Sequence, residues 1–143
     1  MKRIVVLCLL GLVGCLPAGC SDRSDEPFCP PEVRAPLDGF MGACAAGDFE
    51  KAFDCIEPRY LEDLAKETGA GPAEARRTMV EKLRSSPDRP DASAWSVLAA
   101  ERSSDSRWVL EVLQKMPKGD AVEKIALVLV GGKWYMAAEN FTD

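Results

Sequence analysis

Two adjacent glycines near the end of the chain, Gly131 and Gly132, constrain its fold more than any other sequence feature. They separate two runs of alternating side chains, and a two-residue hairpin turn whose positions both need positive φ suits such a pair. The turn sets the register by pairing Val130 with Lys133. The same register places apolar residues opposite one another on one face, as the pairs Leu129–Trp134, Leu127–Met136 and Ile125–Ala138.

The opposite face of this predicted hairpin is only moderately apolar. It receives the pairs Val128–Tyr135, Ala126–Ala137 and Lys124–Glu139. A lysine–glutamate pair across two strands belongs at the solvent, where it adds roughly a few tenths of a kcal/mol. Slipping the register by one residue would bury these charges, so we expect the first face to be the core side. The second face is a candidate interface, since it is moderately apolar.

Helical periodicity precedes the strands. Apolar side chains spaced by three and four residues predict four helices, which begin at Pro36, after the capping residue Asp48, at Pro58 and at Pro72. Turn-forming residues over 85–91 end the helical pattern, and the sequence then alternates. Four strands are predicted, over 95–102, 107–115, 121–130 and 133–141. We therefore expect an α+β fold, with N-terminal helices packed on a curled four-stranded antiparallel sheet.

The first twenty residues have the features of a secretory signal. A basic start, Met1-Lys2-Arg3, precedes an apolar run from Ile4 to Gly14. That run is too short to cross a bilayer, which needs about 20 apolar residues. Small residues precede both Cys15 and Cys20, which resembles the lipobox of bacterial lipoproteins. The resemblance implies a mature chain that begins with a lipidated cysteine and is anchored to an envelope membrane, outer or cytoplasmic, facing away from the cytoplasm.

Either cysteine suits the lipobox in part. Leu12-Val13-Gly14-Cys15 has the usual residue types, whereas Cys20 gives a signal of more ordinary length and is followed by polar residues. The predicted organisation is a signal peptide over 1–19, or over 1–14 if Cys15 carries the lipid. A tether over 20–34 then leads to one domain over 35–143.

Two segments of that domain resemble the nuclear transport factor 2-like superfamily. Residues 40–56, centred on AAGDFEKA, look like its first two helices, and IALVLVGGKWY at 125–135 looks like its last hairpin. The resemblance covers most of the region 35–141 and implies a cystatin-like α+β roll. It also implies a cone-shaped pocket between sheet and helices, which members use for small apolar ligands or for catalysis. Relatives often dimerise through the outer sheet face.

The residue types present argue against most kinds of chemistry. Histidine is absent, which removes the commonest general base and metal ligand, and no phosphate-binding glycine loop occurs. The acid–base residues plausible for this fold are Asp48, Asp54, Tyr60 and Tyr135. We expect no catalysis, no metal and no cofactor. With 18 basic against 23 acidic residues, we also expect no nucleic-acid partner.

Cysteine and aromatic residues leave alternatives open. Cys44 and Cys55 could form a disulfide if Gly47 and Asp48 fold the segment into two antiparallel helices, with Cys29 as an alternative partner for either. The other outcome is three buried, reduced cysteines. Aromatic residues either fill the core or line an apolar pocket; the candidates are Phe40, Phe53, Trp95, Trp108 and Trp134.

These observations predict a lipid-anchored, non-catalytic envelope protein that binds a partner protein or a small apolar ligand at the membrane. The alternative is a small-molecule enzyme or ligand carrier that uses the cone-shaped pocket. A cavity lined by at least one buried polar group would favour the pocket, whereas a solid aromatic core would favour protein interaction.

Overall fold

Four helices and one antiparallel sheet form the fold in a computed structural model of the chain, which describes residues 27–85, 95–115 and 119–142. The predicted signal segment, with Cys15 and Cys20, lies outside the described residues. The helices are α1 (Pro31–Ala46), α2 (Phe49–Asp54), α3 (Pro58–Thr68) and α4 (Pro72–Arg84). The strands are β1 (Trp95–Ser104), β2 (Arg107–Gln114), β3 (Ala121–Val130) and β4 (Lys133–Met136), followed by a C-terminal 3-10 helix (Ala138–Phe141). No helix within the described ranges is long and apolar enough to cross a membrane.

The sheet is a meander in the order β1-β2-β3-β4, with every neighbouring pair antiparallel. The predicted α+β class and the helix-then-sheet order are confirmed. Gly131 and Gly132 have φ values of 58° and 83°, as the predicted turn requires. The turn produces the predicted register for the pairs Val130–Lys133, Leu129–Trp134, Val128–Tyr135 and Leu127–Met136.

The fourth strand is shorter than predicted, because it ends at Met136 rather than at residue 141. Asn140 takes the place of a strand partner for Ala126: its Oδ1 accepts the Ala126 N–H at 2.8 Å, and its Nδ2 donates to the Ala126 carbonyl at 2.7 Å. The backbone therefore leaves the sheet after Ala137, whose N–H still reaches Ala126.

Two predicted cross-strand pairs are consequently wrong. Ala138 begins the 3-10 helix and does not face Ile125. Lys124 lies near Glu111 on β2, at 3.7 Å, and Glu139 forms an ion pair with Arg107 instead.

Helix α1 begins at Pro31, five residues before the predicted start at Pro36. Val33 and Leu37, one helical turn apart, are each 2% exposed and pack in the core cluster of the sheet. Burying this pair favours the helix in spite of Pro36, which has no N–H to donate within it. Residues 31–34 were predicted to be tether, and they form the first turn of the domain.

Helices α1 and α2 are joined by the predicted turn. Gly47 ends α1 with φ 74°, and the Asp48 carboxylate caps α2 by accepting the Lys51 N–H at 3.3 Å. After α2 the chain runs beside β4, where Ile56 pairs with Met136 as a parallel bridge. This contact covers the outer edge of β4 and ties the helical layer to the sheet.

Candidate functional site

A cavity of about 120 Å³ lies between the helices and the inward face of the sheet. Its helical wall comes mainly from α1, α2 and α4, and includes Phe40, Met41, Phe53 and Met79. Its sheet wall comes from β1, β2 and β3, and the C-terminal 3-10 helix closes one side with Phe141. The Phe141 ring packs against Phe40 and Tyr60, with ring centroids 5.7 and 5.4 Å away. The site is a mainly apolar chamber at the interface of the two layers.

The early end of β4 determines where the cavity lies. β4 ends at Met136, opposite Leu127, whereas β1, β2 and β3 continue past this point toward Ala121. The cavity lies against this three-stranded part of the sheet. Alternation along the strands turns Val112 and Gln114 of β2 inward, together with Glu123 and Ile125 of β3. Trp95 begins β1 opposite Gln114 and lines the same end.

Glu123 is the one charged side chain in the cavity wall as the structure describes it. Burial raises the pKa of this carboxyl above its ordinary value. Within the described residues it makes no hydrogen bond or ion pair, so its charge is balanced by neither a neighbouring cation nor a donor there. Gln114 lies diagonally across on the neighbouring strand, since Glu123 faces Val112 and Gln114 faces Ala121. The two side chains make this end of the cavity polar.

Tyr60 and Asn140 also bring hydrogen-bonding groups to the wall. Tyr60 is 6% exposed, and burial raises the pKa of its phenol, with a smaller contribution from Glu67. Asn140 commits its amide to the Ala126 backbone and therefore acts in the structure rather than toward a ligand. The cavity itself differs from the solid aromatic core that would favour protein interaction, but apart from the buried Tyr60 phenol its polar groups, Glu123 and Gln114, are half-buried rather than buried.

The five predicted pocket or core aromatics divide between the two roles. Phe40, Phe53 and Trp95 line the cavity. Trp108 and Trp134 pack against the core cluster of the sheet and are not part of the cavity wall. Both lie farther along the sheet, Trp108 opposite Leu127 and Trp134 opposite Leu129, where β4 is present and the layers are in contact.

The predicted acid–base candidates do not come together. Asp48 caps α2, and Asp54 forms an ion pair with Arg76 at 2.8 Å. Tyr135 lies under the Lys133 ammonium, 4.9 Å from its ring centroid, and does not line the cavity. Tyr60 alone of the four reaches the cavity wall.

Sequence reasoning missed Glu123, although a signal for it exists. The hairpin register turns Ile125 inward, and Glu123 precedes it by two residues on the same strand. A carboxylate on the inward face of a strand conflicts with burial, and such a conflict is typical of functional positions. In the described residues, no group of three or more histidine, cysteine, aspartate or glutamate side chains is arranged to hold a metal ion.

The predicted Cys44–Cys55 disulfide is not formed in the structure, and Cys29 is not bridged either. Cys44 is buried and lines the cavity. The Cys55 sulfur lies against Gly39 of α1, 3.0 Å from where a Cβ would stand, and donates to the Lys51 carbonyl at 3.5 Å. Gly39 and Cys44 are five residues apart on α1, about 7.5 Å along its axis, so Cys55 packs on a different part of that helix.

The predicted dimer face is more charged in the structure than in the sequence pattern. Ala126 and Ala137 are buried, whereas Val128 and Tyr135 are half-buried. The Arg107–Glu139 and Lys124–Glu111 ion pairs form at this outer face. Dimerisation through the face stays a prediction.

Comparison with known proteins adds no relative, because no family model matches the sequence and no curated protein matches it either.

Proposed function

We propose that this protein is a lipid-anchored binding protein of the bacterial cell envelope. Its single domain is nuclear transport factor 2-like and holds a small, mainly apolar ligand in the cavity between its helices and its sheet. The cavity is the observation that carries this proposal. Its wall is apolar along most of its length, and it becomes polar at Glu123 and Gln114.

The size of the cavity supports a ligand of definite dimensions. An engineered apolar cavity of about 150 Å³ in another protein binds benzene. The cavity here, about 120 Å³, suits a group close to that size. A cavity of this volume created by a core substitution would cost about 3 kcal/mol, at about 24 cal/mol per Å³. A ligand that restores those contacts would recover part of that cost as binding energy.

The envelope address rests on the N-terminal segment. A basic start, an apolar run and the cysteines at 15 and 20 support a lipidated N-terminus. Mass spectrometry of the mature protein tests this part: we expect an acylated Cys15 or Cys20 as the first residue. An unmodified N-terminus beyond Cys20 contradicts the anchor.

Methionine methyl NMR tests ligand binding directly. Three of the five methionines, Met41, Met79 and Met136, line the cavity. Toluene added to the methyl-labelled protein in phospholipid nanodiscs should shift these three signals through its ring current. The concentration at which the shifts saturate gives the affinity for toluene. Toluene that only partitions into the lipid, without binding in the cavity, would not produce saturating shifts of these three signals.

A matched pair of variants on β2 controls this experiment. Val112 points into the cavity, whereas Leu113 points to the outer face opposite Val122, which is 57% exposed. Val112→Phe should abolish the toluene shifts by filling the cavity, and Leu113→Phe should leave them unchanged. Absence of saturable shifts in the wild type, or their survival in Val112→Phe, overturns the proposal.

A further inference from the structure

The polar end of the cavity defines the chemical class of the ligand. We propose that the ligand is a small cationic amphiphile, with an apolar body inside the cavity and a primary ammonium group at Glu123. This inference rests on the proposed function and specifies what the same cavity selects.

The placement of Glu123 supports the position of the head group. Glu123 precedes Ile125 by two residues on β3. It therefore lies nearer the end of the sheet where β3 begins and β2 ends. Gln114 is its diagonal neighbour on β2, and diagonal neighbours in an antiparallel sheet have Cα atoms about 7–8 Å apart. An ammonium group at this end of the cavity would donate to the Glu123 carboxylate and have an amide beside it.

The charge of the wall supports the sign of the head group. Glu123 is half-buried and has no cationic partner among the described residues, while the described wall contains no lysine or arginine. A ligand carboxylate would therefore meet an unbalanced negative charge, whereas an ammonium would neutralise it.

The volume supports the size of the body. At about 120 Å³ the cavity suits one phenyl ring, with the head group extending toward the half-exposed carboxylate. Benzylamine has this composition and serves as the probe. Toluene is its counterpart without a charge, and benzoate is the counterpart of opposite charge.

The test measures the three probes at neutral pH by the shifts of the Met41, Met79 and Met136 methyl signals. The wild-type protein in nanodiscs should bind benzylamine at least about tenfold more tightly than benzoate. In Glu123→Gln, which keeps the side-chain shape, the affinity for benzylamine should fall about tenfold. The affinity for toluene should change less than about twofold, because the apolar part of the cavity is untouched.

Glu111→Gln is the matched control. Glu111 lies on β2 in a register pair with Lys124, its carboxylate lies 3.7 Å from the Lys124 ammonium, and it does not line the cavity. This variant removes the same charge from the protein and should leave all three affinities unchanged. An equal loss of benzylamine binding in Glu111→Gln would show that net charge, not contact at Glu123, determines the preference.

The outcomes separate the two proposals. If toluene gives no saturable shifts, the proposed function fails. If toluene binds but benzylamine and benzoate bind equally in the wild type, only the inference about the head group is overturned. That comparison needs no variant, so it stands even if Glu123→Gln is poorly folded.

Discussion

Replacing Asn140 should destabilise the whole domain, because this side chain substitutes for the missing part of β4. Its amide makes two hydrogen bonds to Ala126, at 2.8 and 2.7 Å, and Ala126 is 5% exposed. In Asn140→Ala the Ala126 N–H loses its partner in a buried position, which costs about 1–3 kcal/mol. The Ala126 carbonyl keeps the Ala137 N–H at 2.9 Å, so losing the second bond costs about 0.5–1.5 kcal/mol.

The free energy of unfolding should therefore fall by about 2–4 kcal/mol, out of the roughly 5–15 kcal/mol typical of small domains. For a domain of this size the melting temperature should drop by about 10 °C. Urea unfolding of the full chain, followed by far-UV circular dichroism, measures this change. The Phe141 ring should also leave Phe40 and Tyr60, because Asn140 positions the 3-10 helix that carries it.

Two further variants test whether the Asn140 hydrogen bonds are responsible for this loss of stability. Asn140→Asp keeps the shape but places a carboxylate oxygen against the Ala126 carbonyl, so at neutral pH it should be at least as unstable as Asn140→Ala. It should recover on acidification, because a protonated carboxyl donates there as Nδ2 did. Glu139→Ala, at the neighbouring exposed ion pair, should cost less than about 1 kcal/mol. An Asn140→Ala variant within about 0.5 kcal/mol of the wild type would refute the argument.

Three other predictions follow from burial. Val33→Ala should lower the free energy of unfolding, measured by urea titration, by about 2 kcal/mol, because two methyl groups are removed from a core position. A negligible change would show that residues 31–34 belong to the tether and not to the folded domain. Glu123→Gln should stabilise the domain at neutral pH. Burial raises the folded-state pKa of Glu123, so its stabilising contribution is complete below the unfolded-state pKa and is lost as pH rises through the folded-state pKa. Urea titrations at several pH values should therefore show the stability advantage of Glu123→Gln disappearing in acid. An advantage that does not depend on pH contradicts the prediction. Cys55 is a free thiol, and burial raises its pKa. Alkylation followed by peptide mass spectrometry should therefore find Cys55 unbridged, and below pH 9 it should react more slowly than in the denatured chain.

The hairpin could be predicted because its information is local. Two glycines and the alternation on either side determine the turn and the register together, and the structure contains both. The length of β4 could not be predicted in this way. Residues 137–141 continue the alternation, and nothing in the pattern shows that the Asn140 amide replaces a backbone partner of Ala126.

The start of α1 shows how tertiary packing changes a local preference. Pro36 is a good first residue of a helix, and that preference predicted the boundary. Burial of Val33 against the sheet extends the helix by five residues, and Pro31 then occupies the first position. The strands that Val33 contacts lie more than sixty residues later in the chain. Such a contact leaves no periodic pattern in the sequence, so the start of α1 could not be predicted from it.

The candidate site was predictable in its apolar part and missed in its polar part. Phe40, Phe53 and Trp95 follow from the same periodicities that define the elements. Glu123 does not, because a glutamate next to Lys124 and three residues after Asp120 resembles an ordinary solvent-exposed charge unless the hairpin register is extended to it. Its place in the cavity wall lies where β4 is absent and the Asn140 amide takes the place of a backbone partner.

The early start of α1 also bears on how the proposed anchor and the cavity work together. Ten residues separate Cys20 from Pro31, and fifteen separate Cys15 from it. Fully extended, these segments reach at most about 35 or 50 Å. The Arg34 guanidinium lies over Trp95, 5.2 Å from the ring centroid, so the N-terminal end of the domain adjoins the cavity wall. With either cysteine lipidated, the cavity stays close to the bilayer surface, where amphiphilic amines concentrate. Identifying the lipidated cysteine by mass spectrometry therefore also determines how far the cavity can move from its proposed source of ligand.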